Sequence, residues 1–176
     1  MKLQNKHIAF LIGPGFEDLE FWAVYMRLIE EGAQVTVVGV KQGETHASKS
    51  GGLTATAQAA AADVTANQFD AIVIPGGWAP DKIRRYPAIT ALVHDLDAQG
   101  KIVGMICHAG LVGISAKIVA GHRATGSLGI KDDLINAGAT WVDEPAFRDG
   151  NQVWGRVVED IPAFNRELIK ALAHNA

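Results

Sequence analysis

The 176-residue sequence contains a single cysteine, Cys107, and this scarcity excludes two kinds of site. One thiol cannot form an intrachain disulfide, and it cannot supply the cysteine set of a zinc site. The sequence also lacks a His-Glu-x-x-His motif and its six histidines are scattered, so we expect no resident metal ion. A chain of this length can bury a sizeable core without such cross-links. We therefore predict a single domain over residues 1–176.

Long apolar runs are also missing. The run Ile8–Ile12 is too short for the core of a signal peptide, and Gly13-Pro14-Gly15 ends it. No stretch approaches the roughly 20 apolar residues that span a membrane. The 16 basic and 19 acidic side chains give a net charge of −3, which argues against a general binder of nucleic acid or anionic membranes. These features predict a cytoplasmic protein with neither nucleic acid nor membrane as a partner.

Short apolar runs alternate with longer segments of helical periodicity. Strands are predicted at His7–Ile12, Gln34–Val40, Ala71–Ile74, Ile102–Ile106, Thr140–Val142 and Val153–Val157. Helices are predicted at Glu17–Glu31, from Pro87 to Gly100, at Leu111–Val119, at Ile130–Asn136 and after Asp160. The first helix carries Leu19, Trp22, Ala23 and Met26 at the spacing of one helical face. This alternation predicts a mostly parallel sheet covered on both faces, a three-layer α/β/α sandwich.

Ligands of such sheets bind outside the carboxyl ends of the strands, which selects three loops, at residues 13–16, 75–80 and 107–110. The first loop begins Gly-x-Gly, but Asp18 stands where a dinucleotide fingerprint requires glycine. The carboxylates near it would also repel a pyrophosphate at that helix N-terminus. We therefore expect no nucleotide in the first loop, and we predict no cofactor.

The third loop contains the cysteine. Cys107 directly follows the strand Ile102–Ile106, and such a strand-to-helix elbow aims its first residue at the cleft. The helix N-terminus after it is expected to lower the pKa of the thiol. The alternative is an inert packing residue, because free cysteines are often buried. His108 is either a partner of the thiol, which requires a distorted turn, or a polar residue of the first helical turn.

Two other segments carry groups that could assist a nucleophilic cysteine. Gly76 and Gly77 lack Cβ atoms, so a substrate oxygen can approach their N–H groups, which with the elbow amide would form an oxyanion hole. The alternative is a plain turn after a strand. Glu20 lies among apolar residues, which predicts a raised pKa and a protonated carboxyl that donates to the thiolate. Its alternative is a solvated helix residue. Trp78 and Ala109 complete the predicted substrate-binding set.

Many short motifs, in one order along nearly the whole chain, resemble the PfpI intracellular protease branch of the DJ/PfpI superfamily. These motifs are Phe16-Glu17-Asp18-Leu19-Glu20, Phe69-Asp70-Ala71, Pro75-Gly76-Gly77, Ala79-Pro80-Asp81, Ile106-Cys107-His108, Ile114-Ser115-Ala116, Gly129-Ile130-Lys131-Asp132-Asp133, Asn136-Ala137-Gly138, Asp149-Gly150-Asn151, Arg156 and Asp160.

The resemblance implies a flavodoxin-like sandwich of the class I glutamine amidotransferase type. It implies Cys107 as nucleophile, Glu20 as its carboxyl partner and His108 as the adjacent histidine. Asp81 stands where that branch has an acidic residue that completes the site of a neighbouring subunit, which implies a homo-oligomer such as a dimer or hexamer. The chain departs from the family pattern where Ala109 follows Cys-His in place of the common glycine, and Asp81 is one methylene shorter.

Two functional hypotheses follow from the residues and the resemblance. The leading one is a cysteine-dependent stress-response enzyme that acts on a peptide, as an intracellular protease, or on a small reactive carbonyl compound, as a glyoxalase or deglycase. The alternative is a non-catalytic redox-sensing or chaperone-like stress protein that uses an oxidisable Cys107.

Overall fold

A computed structural model of the protein describes residues 1–174. Its strands are β1 (His7–Leu11), β2 (Gln34–Gly39), β3 (Thr45–Ala47), β4 (Thr54–Thr56), β5 (Ala59–Ala60), β6 (Ala71–Ile74), β7 (Ile102–Ile106), β8 (Arg123–Ala124), β9 (Thr140–Trp141), β10 (Ala146–Asp149) and β11 (Gln152–Gly155). Its α-helices are α1 (Asp18–Glu30), α2 (Ala79–Ile83), α3 (Pro87–Ala98), α4 (Gly110–Ser115), α5 (Lys131–Asn136) and α6 (Ile161–His174).

The central sheet has seven strands in the order β10-β11-β7-β6-β1-β2-β5. All neighbouring pairs are parallel except β10 and β11, which form an antiparallel hairpin at one edge. Both central strands β6 and β7 are buried along their whole length, which explains their continuous apolar sequence. Helices α1 and α6 pack on one face of the sheet, while α3, α4 and α5 pack on the other. The predicted α/β/α sandwich is therefore confirmed.

Helix α1 is present, but its apolar residues divide between two sides. Phe21, Val24 and Leu28 are buried against the sheet. Leu19 and Met26, whose spacing indicated the helix, are 50% and 56% exposed. The periodicity therefore identified the helix without identifying its core-facing side, because both sides of α1 carry apolar residues.

Helix α4 is shorter than the predicted Leu111–Val119 and ends at Ser115. The next turn has Lys117 in the left-handed region at φ 60°. The N–H of Lys117 donates to the carbonyl of Ile114, and the N–H of Ile118 donates to that of Gly113. This pair of hydrogen bonds is the Schellman ending of a helix, here with lysine in the position that usually holds glycine.

Two short elements were not expected from the sequence. Strands β3 and β4 form a small antiparallel hairpin outside the central sheet, and α2 follows the loop after β6. Each of these pieces has at most five residues, too few to show a hydrophobic period. The strand predicted at Thr140–Val142 is present as β9, but it pairs with the two-residue β8 and lies outside the central sheet. Within residues 1–174, no helix is long and apolar enough to cross a bilayer.

Candidate active site

Cys107 lies on a strained turn at the carboxyl end of β7. Its φ of 61° is in the left-handed region, which a non-glycine residue occupies at a cost in energy. A 3-10 turn over Cys107–Ala109 leads directly into α4. The carbonyl of Cys107 accepts a hydrogen bond from the N–H of Ser127 at 3.1 Å, which helps to hold the turn. This is the predicted elbow.

The strained turn brings the cysteine and its neighbour together. Cys107 Sγ lies 3.2 Å from His108 Nδ1, so the distorted turn that this contact requires is present. Burial lowers the pKa of His108, and the positive charge of Lys49 lowers it further. The imidazole is therefore neutral near pH 7, and its Nδ1 is within reach of the thiol proton.

Glu20 is fully buried in the first turn of α1. Its Oε2 accepts a hydrogen bond from the N–H of Gly76 at 2.7 Å, while Oε1 has no hydrogen-bond partner among the described residues. Burial, with the nearby charge of Glu17, raises the pKa of Glu20 to about 7. The carboxyl is therefore a buried group that titrates near neutrality, as predicted, and not a solvated helix residue.

The thiol itself differs from expectation. Burial raises the pKa of Cys107 to about 12, and the negative charge of Glu20 adds to the effect. Hydrogen bonds from the N–H groups of Gly77 and His108 act in the opposite direction but do not prevail. The expected lowering by the helix N-terminus is wrong, because burial of the sulfur outweighs it and a buried carboxylate lies beside the sulfur. At rest the thiol keeps its proton.

The predicted oxyanion donors also need one correction. The N–H of Gly76 is occupied by Glu20, so it is not free for a substrate oxygen. The N–H groups of Gly77 and His108 are the ones directed at Cys107. Gly77 has φ 79°, and a Cβ there would lie 2.5 Å from the carbonyl oxygen of Gly15, so the position requires glycine.

Of the three remaining predicted site residues, Trp78 lines the cavity at Cys107, whereas Ala109 and Asp81 do not. Trp78 is 54% exposed and lines the cavity around Cys107. Ala109 is completely buried in the core, so its assignment to substrate binding is wrong: the elbow turns its side chain away from the cleft. Asp81 lies on α2, bonds Arg85 at 2.5 Å and does not line the cavity of its own chain. Its role in a neighbouring subunit stays a prediction.

The cavity at Cys107 has a volume of about 260 Å³. Its lining includes Glu20, Gly77, Trp78 and His108, together with residues that the sequence did not indicate. Those additional residues are Glu17, Lys49, Ser127, Val157, Val158 and Glu159. Within residues 1–174, no three His, Cys, Asp or Glu side chains are grouped closely enough to hold a metal ion.

Comparison with known proteins identifies the family of this chain. The model of the DJ-1/PfpI family matches residues 6–171. The chain belongs to the DJ-1/PfpI family. It is 39% identical over 165 residues to a deglycase of Pyrococcus abyssi, covering 94% of this chain and 98% of the relative. It is 36% identical over 169 residues to general stress protein 18 of Bacillus subtilis, covering 96% and 98%.

Solved structures of the DJ-1/PfpI family superpose closely on this fold. A two-domain protein of Anabaena variabilis, with a DJ-1/ThiJ/PfpI-like and a ferritin-like domain, matches with a TM-score of 0.94 and 36% identity. The match covers 98% of this chain and 49% of that protein. DJ-1beta of Drosophila melanogaster matches with a TM-score of 0.88 and 25% identity, covering 96% of this chain and 90% of that one.

Lys49 is the least expected residue at this DJ-1/PfpI site. It lies in the loop between β3 and β4, and its Nζ is 4.8 Å from the centroid of the Trp78 ring. Asp18 anchors the loop, because its carboxylate accepts hydrogen bonds from Ser48 Oγ at 2.6 Å and from the N–H of Ser50 at 3.2 Å. Asp18 thus positions the loop that carries Lys49 at the cavity. The sequence does not indicate this contact, because the two residues are far apart along the chain.

Proposed function

We propose that this protein is a cysteine-dependent enzyme that acts on small reactive carbonyl compounds or on the adducts they form with other molecules. The observation that carries the proposal is the geometry at Cys107, whose sulfur lies 3.2 Å from His108 Nδ1 and beside the buried carboxyl of Glu20. A nucleophile with adjacent proton acceptors and backbone donors is the arrangement that carbonyl addition requires.

The size of the cavity favours a small substrate over a peptide. A volume of about 260 Å³ is below the usual range for drug-sized ligands, and Trp78 stands at its mouth. Relatives that match nearly the whole chain are named deglycases, among them the protein/nucleic acid deglycase 2 of Escherichia coli at 35% identity. A Bacillus subtilis relative is named a putative cysteine protease, and proteolysis is the competing activity.

The first step joins the sulfur to the carbonyl carbon. Above pH 7 the carboxylate of Glu20 is ionised and takes the thiol proton as the carbon–sulfur bond forms, while the carbon–oxygen double bond opens toward oxygen. The N–H groups of Gly77 and His108 stabilise the developing negative charge. Return of the proton from Glu20 to that oxygen gives a hemithioacetal, so atoms and charge balance.

A 1,2-dicarbonyl substrate allows the reaction to continue. The proton on the hemithioacetal carbon moves to the neighbouring carbonyl carbon, and the hemithioacetal hydroxyl proton moves to the neighbouring oxygen. The product is a thioester of a hydroxy acid, and water then releases the hydroxy acid and restores the thiol. His108, neutral and next to the sulfur, is placed to move a proton in these steps. Lys49 supplies positive charge at the same cavity.

Turnover of methylglyoxal by a Cys107→Ser variant tests the proposal. We expect a loss of at least about 10³-fold in kcat/KM, because the weaker hydroxyl nucleophile lacks the reactivity of sulfur. Circular dichroism would verify that the variant is folded. A denatured peptide substrate, assayed in parallel, separates carbonyl processing from proteolysis. Unchanged methylglyoxal turnover in the variant would remove this mechanism, and peptide cleavage without methylglyoxal turnover would favour the protease.

The exposed side of α1 supports a homo-oligomer, and we infer that a second copy of this chain covers it. Leu19, Met26 and Ile29 form an exposed apolar row, and the buried Trp22 Nε1 has no hydrogen-bond partner among the described residues. Such an assembly would also give Asp81 a neighbouring site to reach. Sedimentation of a Met26→Asp variant should show a smaller species than the parent, and an unchanged sedimentation coefficient would contradict this interface.

The same proposal places the enzyme in the cytoplasm. A reducing compartment keeps a lone thiol free, which the chemistry of Cys107 requires.

A further inference from the structure

A second cavity, of about 400 Å³, lies at the carboxyl ends of β1 and β2 and shares no lining residue with the cavity at Cys107. Four segments form its walls: the loop after β1, the residues after β2, the strand β3 with the residue before it, and α2 with the turn that follows it. Ligands of parallel sheets bind at this end of the strands. The volume is that of a small-molecule site.

The charge of this second cavity is mainly positive. Lys41 and Lys82 line it from two different segments, and neither forms an ion pair within residues 1–174. Arg85 also lines it but is paired with Asp81. The acidic lining residue, Glu44, lies 3.5 Å from the imidazole of His46. Glu44 offsets part of this charge, but the two lysines outnumber it, so the lining keeps a net positive charge that can attract an anion.

A buried imidazole faces the same space. His46 is only 8% exposed, and burial lowers its pKa, with the charge of Lys82 acting in the same direction. Near pH 7 it is a neutral donor and acceptor of hydrogen bonds. Ile83 and the ring of Tyr86 add an apolar wall. The cavity thus combines positive charge, one imidazole that can form hydrogen bonds, and an apolar wall that can contact the carbon atoms of a ligand.

We propose that this cavity binds a phosphate ester of a small carbon skeleton, with Lys41 and Lys82 on the phosphate and His46 hydrogen-bonded to it. A phosphate group carries close to two negative charges at neutral pH, which suits a cavity lined by two lysines better than a carboxylate does. Ile83 and Tyr86 take the carbon portion. This site lies outside the proposed chemistry at Cys107 and does not depend on it.

Titration of the whole protein with glycerol 3-phosphate, followed by NMR, tests the site. We expect saturable shifts of the His46 imidazole resonances and an affinity that weakens as salt is added. A Lys41→Met/Lys82→Met double variant should lose about tenfold or more in affinity, since two charge contacts are removed. A Lys117→Met variant, with an exposed lysine outside the cavity, serves as the matched control and should bind as the parent does.

The outcomes separate the possible ligand classes. Acetate or uncharged glycerol that binds as tightly as glycerol 3-phosphate would contradict the phosphate assignment. Unmoved His46 resonances, or equal affinity in the parent and the double variant, would overturn the site. The alkylation rate of Cys107 should be the same in both proteins, which shows that the double variant is folded and that failure here leaves the proposed enzyme untouched.

Discussion

Two fully buried polar side chains lie at opposite ends of the central sheet, and they differ in one respect that matters. Gln152, at the amino end of β11, donates hydrogen bonds to the carbonyl of Ile118 at 2.7 Å and to Asp97 Oδ1 at 3.0 Å. Glu20, near the carboxyl end of β6, accepts one hydrogen bond from Gly76. Each leaves one side-chain oxygen without a partner among residues 1–174. Gln152 is neutral at every pH, whereas Glu20 ionises.

Burying Glu20 costs free energy that burying Gln152 does not. An uncharged buried amide stabilises the fold through its hydrogen bonds, with no dependence on pH. A buried carboxyl is favourable only while it is protonated, so ionisation near pH 7 destabilises the folded state. The strained Cys107 lies at the same end as Glu20. Backbone strain and a buried ionisable group therefore occur together at the proposed active site, and not at the end of the sheet where Gln152 lies.

The largest expected effect is on the stability of a Glu20→Gln variant. In the folded parent the pKa of Glu20 is about 7 against an ordinary value of 4.5, so the unfolded chain releases this proton first as pH rises. The parent therefore loses stability between about pH 4.5 and pH 7, by about 3 kcal/mol in total at 1.36 kcal/mol per unit of pKa. The glutamine does not ionise, so the variant should exceed the parent by an amount that grows across this window.

Urea denaturation of both proteins at several pH values measures this difference. An exposed carboxyl gives the matched control: a Glu30→Gln variant should show no comparable dependence on pH. A stability gap between Glu20→Gln and the parent that stays constant from acid to neutral pH would contradict the raised pKa of Glu20. It would also remove the distinction between the two buried groups.

A smaller effect, of opposite sign, is expected from Gln152→Leu. This change removes both donated hydrogen bonds and leaves the acceptor on Ile118 buried, which should destabilise the fold by about 2 kcal/mol. Since the amide does not titrate, this loss should not follow the pH window expected for Glu20. Urea denaturation measures it, with the exposed Gln99→Leu as a control within about 0.5 kcal/mol of the parent. An unchanged stability would show that Gln152 contributes nothing at this edge.

Much of the fold could be predicted because its central elements repeat simple patterns. The buried strands β1, β6 and β7 are continuous apolar runs, and α6 places Phe164, Leu168 and Leu172 toward the core at helical spacing, as expected. The buried side of α1 could not be predicted, because only packing decides between two apolar sides. The hairpin of β3 and β4 was missed because its strands have three residues each.

Two features of the candidate site could be predicted from the position of a residue relative to its neighbours in the sequence. An elbow after a buried strand places Cys107 at the sheet edge, and apolar neighbours raise the pKa of Glu20. The shift in the pKa of Cys107 was predicted in the wrong direction, because the sequence shows neither how deeply the thiol is buried nor that a carboxylate from α1 lies beside it. Lys49 could not be found, since it reaches the cavity only through the loop that Asp18 anchors.

Glu20 and Cys107 lie side by side, so the charge of the carboxyl should control the pKa of the thiol, and a titration of the thiol measures this effect. Ultraviolet absorbance of the thiolate, measured against pH in the parent and in Glu20→Gln, gives the pKa of Cys107 in each. We expect a pKa of about 12 in the parent, and a lower value in the variant by about one unit or more, because the repelling negative charge is gone. Equal thiol pKa values in the two proteins would contradict the account.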